Sequence, residues 1–395
     1  MAKRALVIGG GIAGPVAATA LHLAGMRATV CEAYPGDSNG IGGDLALAPN
    51  GMDALAIIRA DTAVREAALS ISRQIIRIGE KSRIELPRLV GLPPQQMIER
   101  GTLQHILQER AKSVGVRFEY NKRLTSIVEE PDSVTARFAD GSELMADLLI
   151  GADGVRSTVR RLIDPQAPGP GYTGILGFEG SATVPVDLPP HTIAFSFGKR
   201  AYYLYWQGKD DRVTWGANLP SPTYLTLKDA RAIPASTWVQ RLLETYGDDR
   251  PAAELIHRTS ERDIQVHGAI HIMPSVPHWH SQRMVLVGDA VHAPSNSTGQ
   301  GASLAIEGAI QLARCLRDVP DITSACASYE RLCRHRVETI AARGAKTNQL
   351  KTPGPMTRKL MRAAMPLMFR VMDWEKSLGP EQRHKIEWNA RVDAV

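Results

Sequence analysis

Arg4-Ala5-Leu6-Val7-Ile8-Gly9-Gly10-Gly11-Ile12-Ala13-Gly14 is an apolar run of strand length that breaks into glycine and then into small, helix-compatible residues. A small-residue helix through Leu23 and a second apolar run at 27–31 make residues 4–32 a strand, tight turn, helix and strand. In that setting each glycine has a separate task. Gly9 allows the tight turn, Gly11 lets a pyrophosphate approach the backbone, and Gly14 lets helix and strand pack closely. The helix start adds unpaired N–H groups and partial positive charge. Glu32, at the end of the second strand, is placed to accept hydrogen bonds from ribose hydroxyls.

Composition bounds the rest. At 395 residues the chain has room for two or three compact units, and 44% hydrophobic residues is ordinary for a globular protein. Residues 1–4 lead directly into the apolar run, which leaves no room for a secretory signal. No apolar stretch reaches the roughly 18–20 residues that span a bilayer. Cys31, Cys315, Cys326 and Cys333 lack CxxC spacing, so neither a disulfide framework nor a zinc site is expected, and the setting is read as cytoplasmic. A net charge of +6 from scattered basic residues, with only 5% aromatics, argues against nucleic acid and suits anionic dinucleotides.

A second block begins with a strand at 97–99. The helix after it has Thr102 as its expected N-cap and Leu103, Ile106, Leu107 and Ala111 on one face, and Gly115 closes it. Residues 116–153 read as short strands, with Asp140-Gly141 as a hairpin turn before a strand at 144–151. Aromatic, β-rich segments at 174–218, punctuated at Gly198-Lys199 and 208–211, predict an antiparallel sheet of a different unit. A buried strand at 284–287, a glycine turn and a helix over 301–316 return to the first unit. The expected division is a discontinuous nucleotide domain at 1–70, 97–172 and 281–320, a β-sheet substrate domain at 71–96 and 173–280, and a C-terminal helical segment at 321–395. Within the last, the Met-rich, basic, amphipathic stretch 355–374 is expected to pack across both units rather than lie on a membrane.

Two further motifs narrow the chemistry. Gly151-Ala152-Asp153-Gly154-Val155-Arg156-Ser157-Thr158-Val159-Arg160 and Gly288-Asp289-Ala290-Val291-His292 each set an Asp in a glycine turn after a buried strand. The second is followed by Gly299-Gln300-Gly301 and a helix containing Glu307. With this order of GxGxxG, DG and GD motifs, the sequence resembles the class A FAD-dependent aromatic monooxygenases related to para-hydroxybenzoate hydroxylase, and among them the small flavin-dependent tetracycline and polyketide hydroxylases. The resemblance implies an α/β fold: a Rossmann-like FAD-binding domain, an interleaved antiparallel substrate sheet and a C-terminal helix. It implies non-covalent FAD, NADPH or NADH as co-substrate, O2, and hydroxylation of an aromatic or polycyclic small molecule through a flavin C4a-hydroperoxide. The alternative is a flavin-linked dehydrogenase or reductase without oxygen insertion. A flavin halogenase would carry WxWxIP near a lysine, a pattern that none of Trp206, Trp215, Trp238, Trp279, Trp374 and Trp388 joins.

The resemblance also assigns residues. Asp289 is expected at the FAD ribityl or pyrophosphate region, Asp153 near both FAD and the pyridine nucleotide, and Arg100, in Ile98-Glu99-Arg100-Gly101-Thr102-Leu103, against the cofactor. N–H groups from Gly299 and Gly301 onward are expected to stabilise charge on the reduced ring. Ala33, Asn296 and Gly308 depart from the family pattern, where a basic residue, a proline and an acidic residue are usual. The segments 174–180, 201–206 and 213–216 are expected to face the ring with Glu179, Leu204 and Thr214 inward, and strand alternation adds Tyr202 and Trp206. If that wall is wrong, Phe195, Tyr203 and Tyr205 are the substitutes.

The flavin performs the chemistry, so no residue is assigned as catalytic; Glu179, Thr214 and Asn296 are the candidates, Glu179 as an acceptor for a substrate phenol. His267, His271, His278 and His280 crowd together, but Pro274 and Pro277 interrupt them and nothing completes a ligand set, so no metal is expected. His292, within the GD loop, is placed either to touch the flavin or, the favoured reading, to make a structural hydrogen bond to a neighbouring loop. Ser157 lacks a base and a GxSxG context, so it is not a nucleophile.

Overall fold

The computed structural model describes residues 3–36, 42–79, 82–208, 211–349, 351 and 355–393, with the side chains at 349, 355–359, 361 and 362 outside the description. Part of the expected turn at 208–211 and several side chains at the start of the 355–374 stretch therefore fall outside the description.

Five parallel strands form the first layer in the order Met284–Leu286, Leu148–Gly151, Arg4–Ile8, Arg27–Cys31 and Arg117–Glu119. The central runs are apolar and fully buried, as strands covered on both faces require. The Rossmann-like unit is closed by Ala13–Leu23 packed on Gly301–Asp318. Their approach depends on small residues: a Cβ on Gly288 would stand 2.9 Å from the Ala13 Cβ and 3.2 Å from the Ala305 Cβ.

The run expected as one strand at 144–151 divides in two. Glu143–Ala146 joins Leu124–Glu129 and Val134–Phe138 in an antiparallel sheet, with Gly141 in a left-handed conformation at the hairpin turn, while Leu148–Gly151 joins the parallel sheet. Asp147 makes the crossing: its N–H donates to Arg4 O at 3.0 Å and its carboxylate accepts from Arg4 N at 2.6 Å. The helix expected to be capped by Thr102 starts earlier, at Arg100–Ser113, with Glu99 at the N-cap position. Thr102 lies inside the first turn and its hydroxyl donates to Glu99 Oε2 at 3.1 Å, a local bond that a composition-based reading mistakes for a cap.

The second large sheet has seven strands, in the order Gln265–Ile272, Gly171–Ala182, Val213–Pro220, Tyr202–Gln207, Thr192–Phe197, Arg73–Ile78 and Ser82–Leu86. It is antiparallel apart from Thr192–Phe197 beside Arg73–Ile78. Phe178, Tyr203, Tyr205 and Trp215 point to one side, into a core with Trp238, Leu242 and Tyr246 from the helix Ala235–Tyr246. The other side faces a small sheet of Asp44–Leu47, Gln95–Glu99 and Leu69–Ile71, through Ile71, Met97, Ile193 and Trp206. The long helix Ile322–Gln349 lies on Gly301–Asp318. Pro355–Val371 places Met365 against Ile76, Ile78 and Ile84, and the residues after Trp374–Gln382 return to the parallel-sheet unit. Among the described residues no helix is long and apolar enough to cross a membrane.

Candidate functional site

The glycine turn sits above the carboxyl ends of the parallel strands. Gly9 has φ +108°, and a Cβ there would run into Ala152 O; a Cβ on Gly14 would overlap Gly9 O. These two positions admit glycine only. Gly11 differs, since a Cβ there would meet nothing within 4 Å: it borders open space at the start of Ala13–Leu23. Glu32 accepts from Gly10 N at 2.7 Å and from Tyr34 N at 3.0 Å, which fixes its carboxylate beside the turn and leaves lone pairs for hydroxyl donors. Two residues that motif reading passes over hold the turn from behind. Gln104 and Gln108, one helical turn apart, both donate to Gly10 O, at 3.0 and 2.7 Å. Their i, i+4 spacing is the one available sequence signal.

The two aspartates divide their labour. Asp153 accepts from Thr158 N at 2.7 Å, from Val159 N at 3.1 Å and from the Ser157 hydroxyl, so it fastens the start of the helix Thr158–Ile163. Those three bonds make Asp153 the anchor of its own loop, on the turn expected to lie near FAD and the pyridine nucleotide. Ser157 caps the same helix by accepting from Arg160 N at 2.9 Å. Buried Arg160 ties the two aspartate loops together, donating to Val155 O at 2.9 Å and Ala290 O at 2.8 Å. The Asp289 carboxylate, by contrast, makes no hydrogen bond or ion pair with any described residue. Burial raises its carboxyl, and the opposing influence is the Arg100 guanidinium. Arg100 is exposed at the first position of its helix.

Gly299 adopts the left-handed conformation, φ +61°, before the helix Gly301–Asp318, and neither Gly299 nor Gly301 would bring a Cβ near any atom. Behind that open helix start the chain is tightly fastened. Asn50 donates to Gln300 Oε1 at 2.9 Å and to Glu307 Oε1 at 2.7 Å, and Arg336 donates to Glu307 Oε2 at 3.0 Å. Ser303 Oγ accepts from Ala48 N at 3.2 Å. A turn built for one glycine-only approach, an unpartnered acid beside an arginine, and helix starts at Gly11 and Gly301 that open on empty space fit an extended anionic dinucleotide with a flat ring at its far end.

Register assembles the other wall. Glu179 lies opposite Gly216, which lies opposite Leu204, and Trp206 lies opposite Thr214. Glu179, Tyr202, Leu204, Trp206 and Thr214 therefore share one face, whereas Tyr203 and Tyr205 belong to the opposite core, and of the substitutes only Phe195 shares the pocket side. Glu179 accepts from Asp44 N, at 3.0 Å through Oε2 and 3.3 Å through Oε1. Burial, with the Asp44 carboxylate nearby, pushes Glu179 up to about 8. That burial favours the protonated carboxyl, a form that would donate toward a substrate oxygen where the ionised form would accept from a phenol. His267, first met among possible metal ligands, stands with Nε2 4.0 Å from Glu179 Oε2. That nitrogen is buried without a hydrogen-bond partner among the described residues, and burial lowers the ring to about 4, so it is a neutral acceptor facing a neutral acid.

The remaining histidines go elsewhere. His271 packs against Tyr172 and Tyr224, His278 is exposed, and His280 faces Glu330. The His292 ring makes no hydrogen bond among the described residues: both its nitrogens are buried without partners, and the ring is tilted at 41° to that of Trp279, with centroids 6.2 Å apart.

Residues 3–343 match the protein-family model described as FAD binding domain. The chain is 29% identical over 353 residues to the aurachin C monooxygenase/isomerase of Stigmatella aurantiaca, covering 87% of this chain and 88% of that protein. It is 31% identical over 331 residues to the chloroplastic zeaxanthin epoxidase of Oryza sativa subsp. japonica, covering 78% of this chain and 48% of that relative, so it spans about half that protein's length. The crystal structure of Klebsiella pneumoniae HpxO complexed with FAD and uric acid superposes with a TM-score of 0.82 at 24% identity, covering 96% of both chains, which establishes the fold.

Proposed function

The chain belongs to the FAD binding domain family, and from that membership we propose that it is an FAD-dependent monooxygenase, using NAD(P)H to place one atom of O2 on an aromatic or polycyclic small molecule. FAD, held without a covalent bond, supplies the redox chemistry when bound, accepting hydride and activating O2. The protein binds, orients and excludes water. Gly9, Gly11, Gly14 and Glu32 would hold pyrophosphate and ribose, Arg100 and Asp289 the middle of the cofactor, and N–H groups at 299–303 the electron-rich ring.

The seven-stranded sheet forms the substrate side of the pocket. Glu179 holds a proton at its carboxyl and donates it in a hydrogen bond to a substrate oxygen, while His267 Nε2 accepts from a substrate hydroxyl. Leu204, Trp206 and Tyr202 keep the cavity dry, and Thr214 orients the ring. The observation that carries this reading is the register, which gathers Glu179, Tyr202, Leu204, Trp206 and Thr214 on the sheet face that looks toward Ile71 and Met97. Relatives named a monooxygenase and an epoxidase favour oxygen transfer over a flavin-linked dehydrogenase.

The test is direct. Purified protein should be yellow, release FAD on denaturation, and oxidise NAD(P)H faster with one of a panel of phenols, quinolones and polyketides. The product should gain one oxygen atom from labelled O2. Product formed equally well without O2 would replace this reading with the dehydrogenase.

A further inference from the structure

The long helix Ile322–Gln349 ends against the loop that precedes Gly301. The Ser295 hydroxyl donates to Asn348 Oδ1 at 3.2 Å, and a Cβ on Gly344 would overlap the Thr298 side chain, so helix and loop are in close contact. Just beyond, Lys351 turns inward and is only 4% exposed. Its Nζ donates to Asn296 Oδ1 at 2.7 Å and stands 4.9 Å from the centroid of the Tyr202 ring. Among the described residues no carboxylate lies within ion-pair distance of it. An ammonium has three donors; Asn296 takes one, the Tyr202 face attracts the charge, and no described residue accepts the rest.

That environment is unusual for a lysine that serves folding alone. Such side chains reach water or meet a carboxylate, because a buried charge without a counter-charge is costly. Burial lowers Lys351 to about 7, which an anion arriving beside it would reverse. Its two neighbours belong to the site already described: Tyr202 to the sheet wall, Asn296 to the loop before the glycine turn at 299–301.

We propose that Lys351 is a specificity-determining residue whose ammonium, held between Asn296 and Tyr202, binds an acidic oxygen of the substrate, a phenolate or a ring carboxylate. The inference rests on the monooxygenase reading of this pocket and names its substrate class: acidic aromatics. Ordinary sheet spacings put Tyr202 and Glu179 roughly 12 Å apart across two strands and two residues. One molecule is thus read at its acidic end by Lys351 and at a second oxygen by Glu179 and His267. Asn296 gains a reason as well, since a proline there would offer no amide oxygen to fix the ammonium.

The experiment titrates the FAD-loaded enzyme with 2-hydroxybenzoate, 4-hydroxybenzoate and 4-hydroxyquinoline, each beside its methyl ester or ether, and follows the flavin absorbance. At least one acid should bind the parent about tenfold or more tightly than its methylated partner. Lys351→Met should bring that ratio to near one by removing the ammonium, and Asn296→Asp should do so by giving it an internal carboxylate. Asn296 is exposed, so its variant carries the test if the buried substitution fails to fold. A parent with no preference for any acid, or variants that keep the preference, overturns the proposal. Failure of the monooxygenase reading looks different: the acids bind with the expected ratio, yet none yields an oxygenated product.

Discussion

Three glycines in one motif have three physical origins, and substitution separates them. Gly14→Ala forces a methyl into Gly9 O, so it should destabilise the protein by about 1–3 kcal/mol or more, seen as a lower melting temperature with or without FAD. A Cβ at Gly11 meets no atom of the chain, so FAD-free Gly11→Val should melt like the parent while FAD stoichiometry falls sharply. Equal damage to FAD-free stability from both would mean that Gly11 borders no ligand. Glu179 gives a test by titration. Its carboxyl is raised from 4.5 to about 8, so the folded state holds a proton that the unfolded state releases. The stabilising effect of that proton is complete below about 4.5 and is lost as pH rises through about 8. Glu179→Gln keeps an acceptor for Asp44 N but cannot ionise. The variant should match the parent in melting at about pH 5 and exceed it at about pH 8.5, by on the order of a few kcal/mol. A gap that does not change with pH would show that Glu179 ionises freely.

Elements built from periodic patterns were legible in the sequence; contacts between distant elements were not. The apolar run, glycines and Glu32 define the first βαβ unit because strand, turn and helix each have a local signature, and Ala13–Leu23 and Arg27–Cys31 follow. The break at Asp147 has no such signature, since what divides the run is a pair of bonds to Arg4, far away in sequence. The bonds of Asp153 to the helix after it depend on how its turn closes, which no local pattern states. Nothing around Lys351 marks it, for its meaning lies in Asn296 and Tyr202. Alternation along Tyr202–Gln207, however, predicts correctly which side chains share a face with Leu204, and the prediction extends to function. Leu204→Ala should raise hydrogen peroxide released per NADPH oxidised, because it opens a wet gap in the pocket wall. Tyr205→Phe, on the opposite face, removes the acceptor that Arg77 Nη1 reaches at 2.8 Å and should lower melting without changing the peroxide ratio. If Tyr205→Phe uncouples and Leu204→Ala does not, the faces are assigned the wrong way round.

Residues 355–393 run from the seven-stranded sheet to the parallel-sheet unit. Met365 is buried against Ile76, Ile78 and Ile84 at the outer strands of the seven-stranded sheet. Farther on, Arg336 donates to Glu381 O at 2.8 Å and Arg317 to Trp388 O at 2.7 Å, with the Arg317 guanidinium 4.8 Å from the Trp388 ring. Val392 N then donates to Asp318 Oδ2 at 2.9 Å. The tail is thus attached at one end to the sheet that forms the substrate wall and at the other to the helices behind the glycine-rich loops. A pocket that must exclude water between those two units needs their spacing fixed, and the tail is placed to fix it. Met365→Ala and Trp388→Ala lie on opposite attachments, and neither residue belongs to the proposed pocket wall. Each should cost about 2–5 kcal/mol or less through lost packing, Trp388 less because it is only partly buried. Both should also raise peroxide release per NADPH, since loosening either attachment lets the sheets part. The measurement compares the two variants with a good substrate at a temperature where both remain folded. Lower melting with an unchanged peroxide ratio in both would mean that the tail stabilises each unit separately and does not set the distance between them.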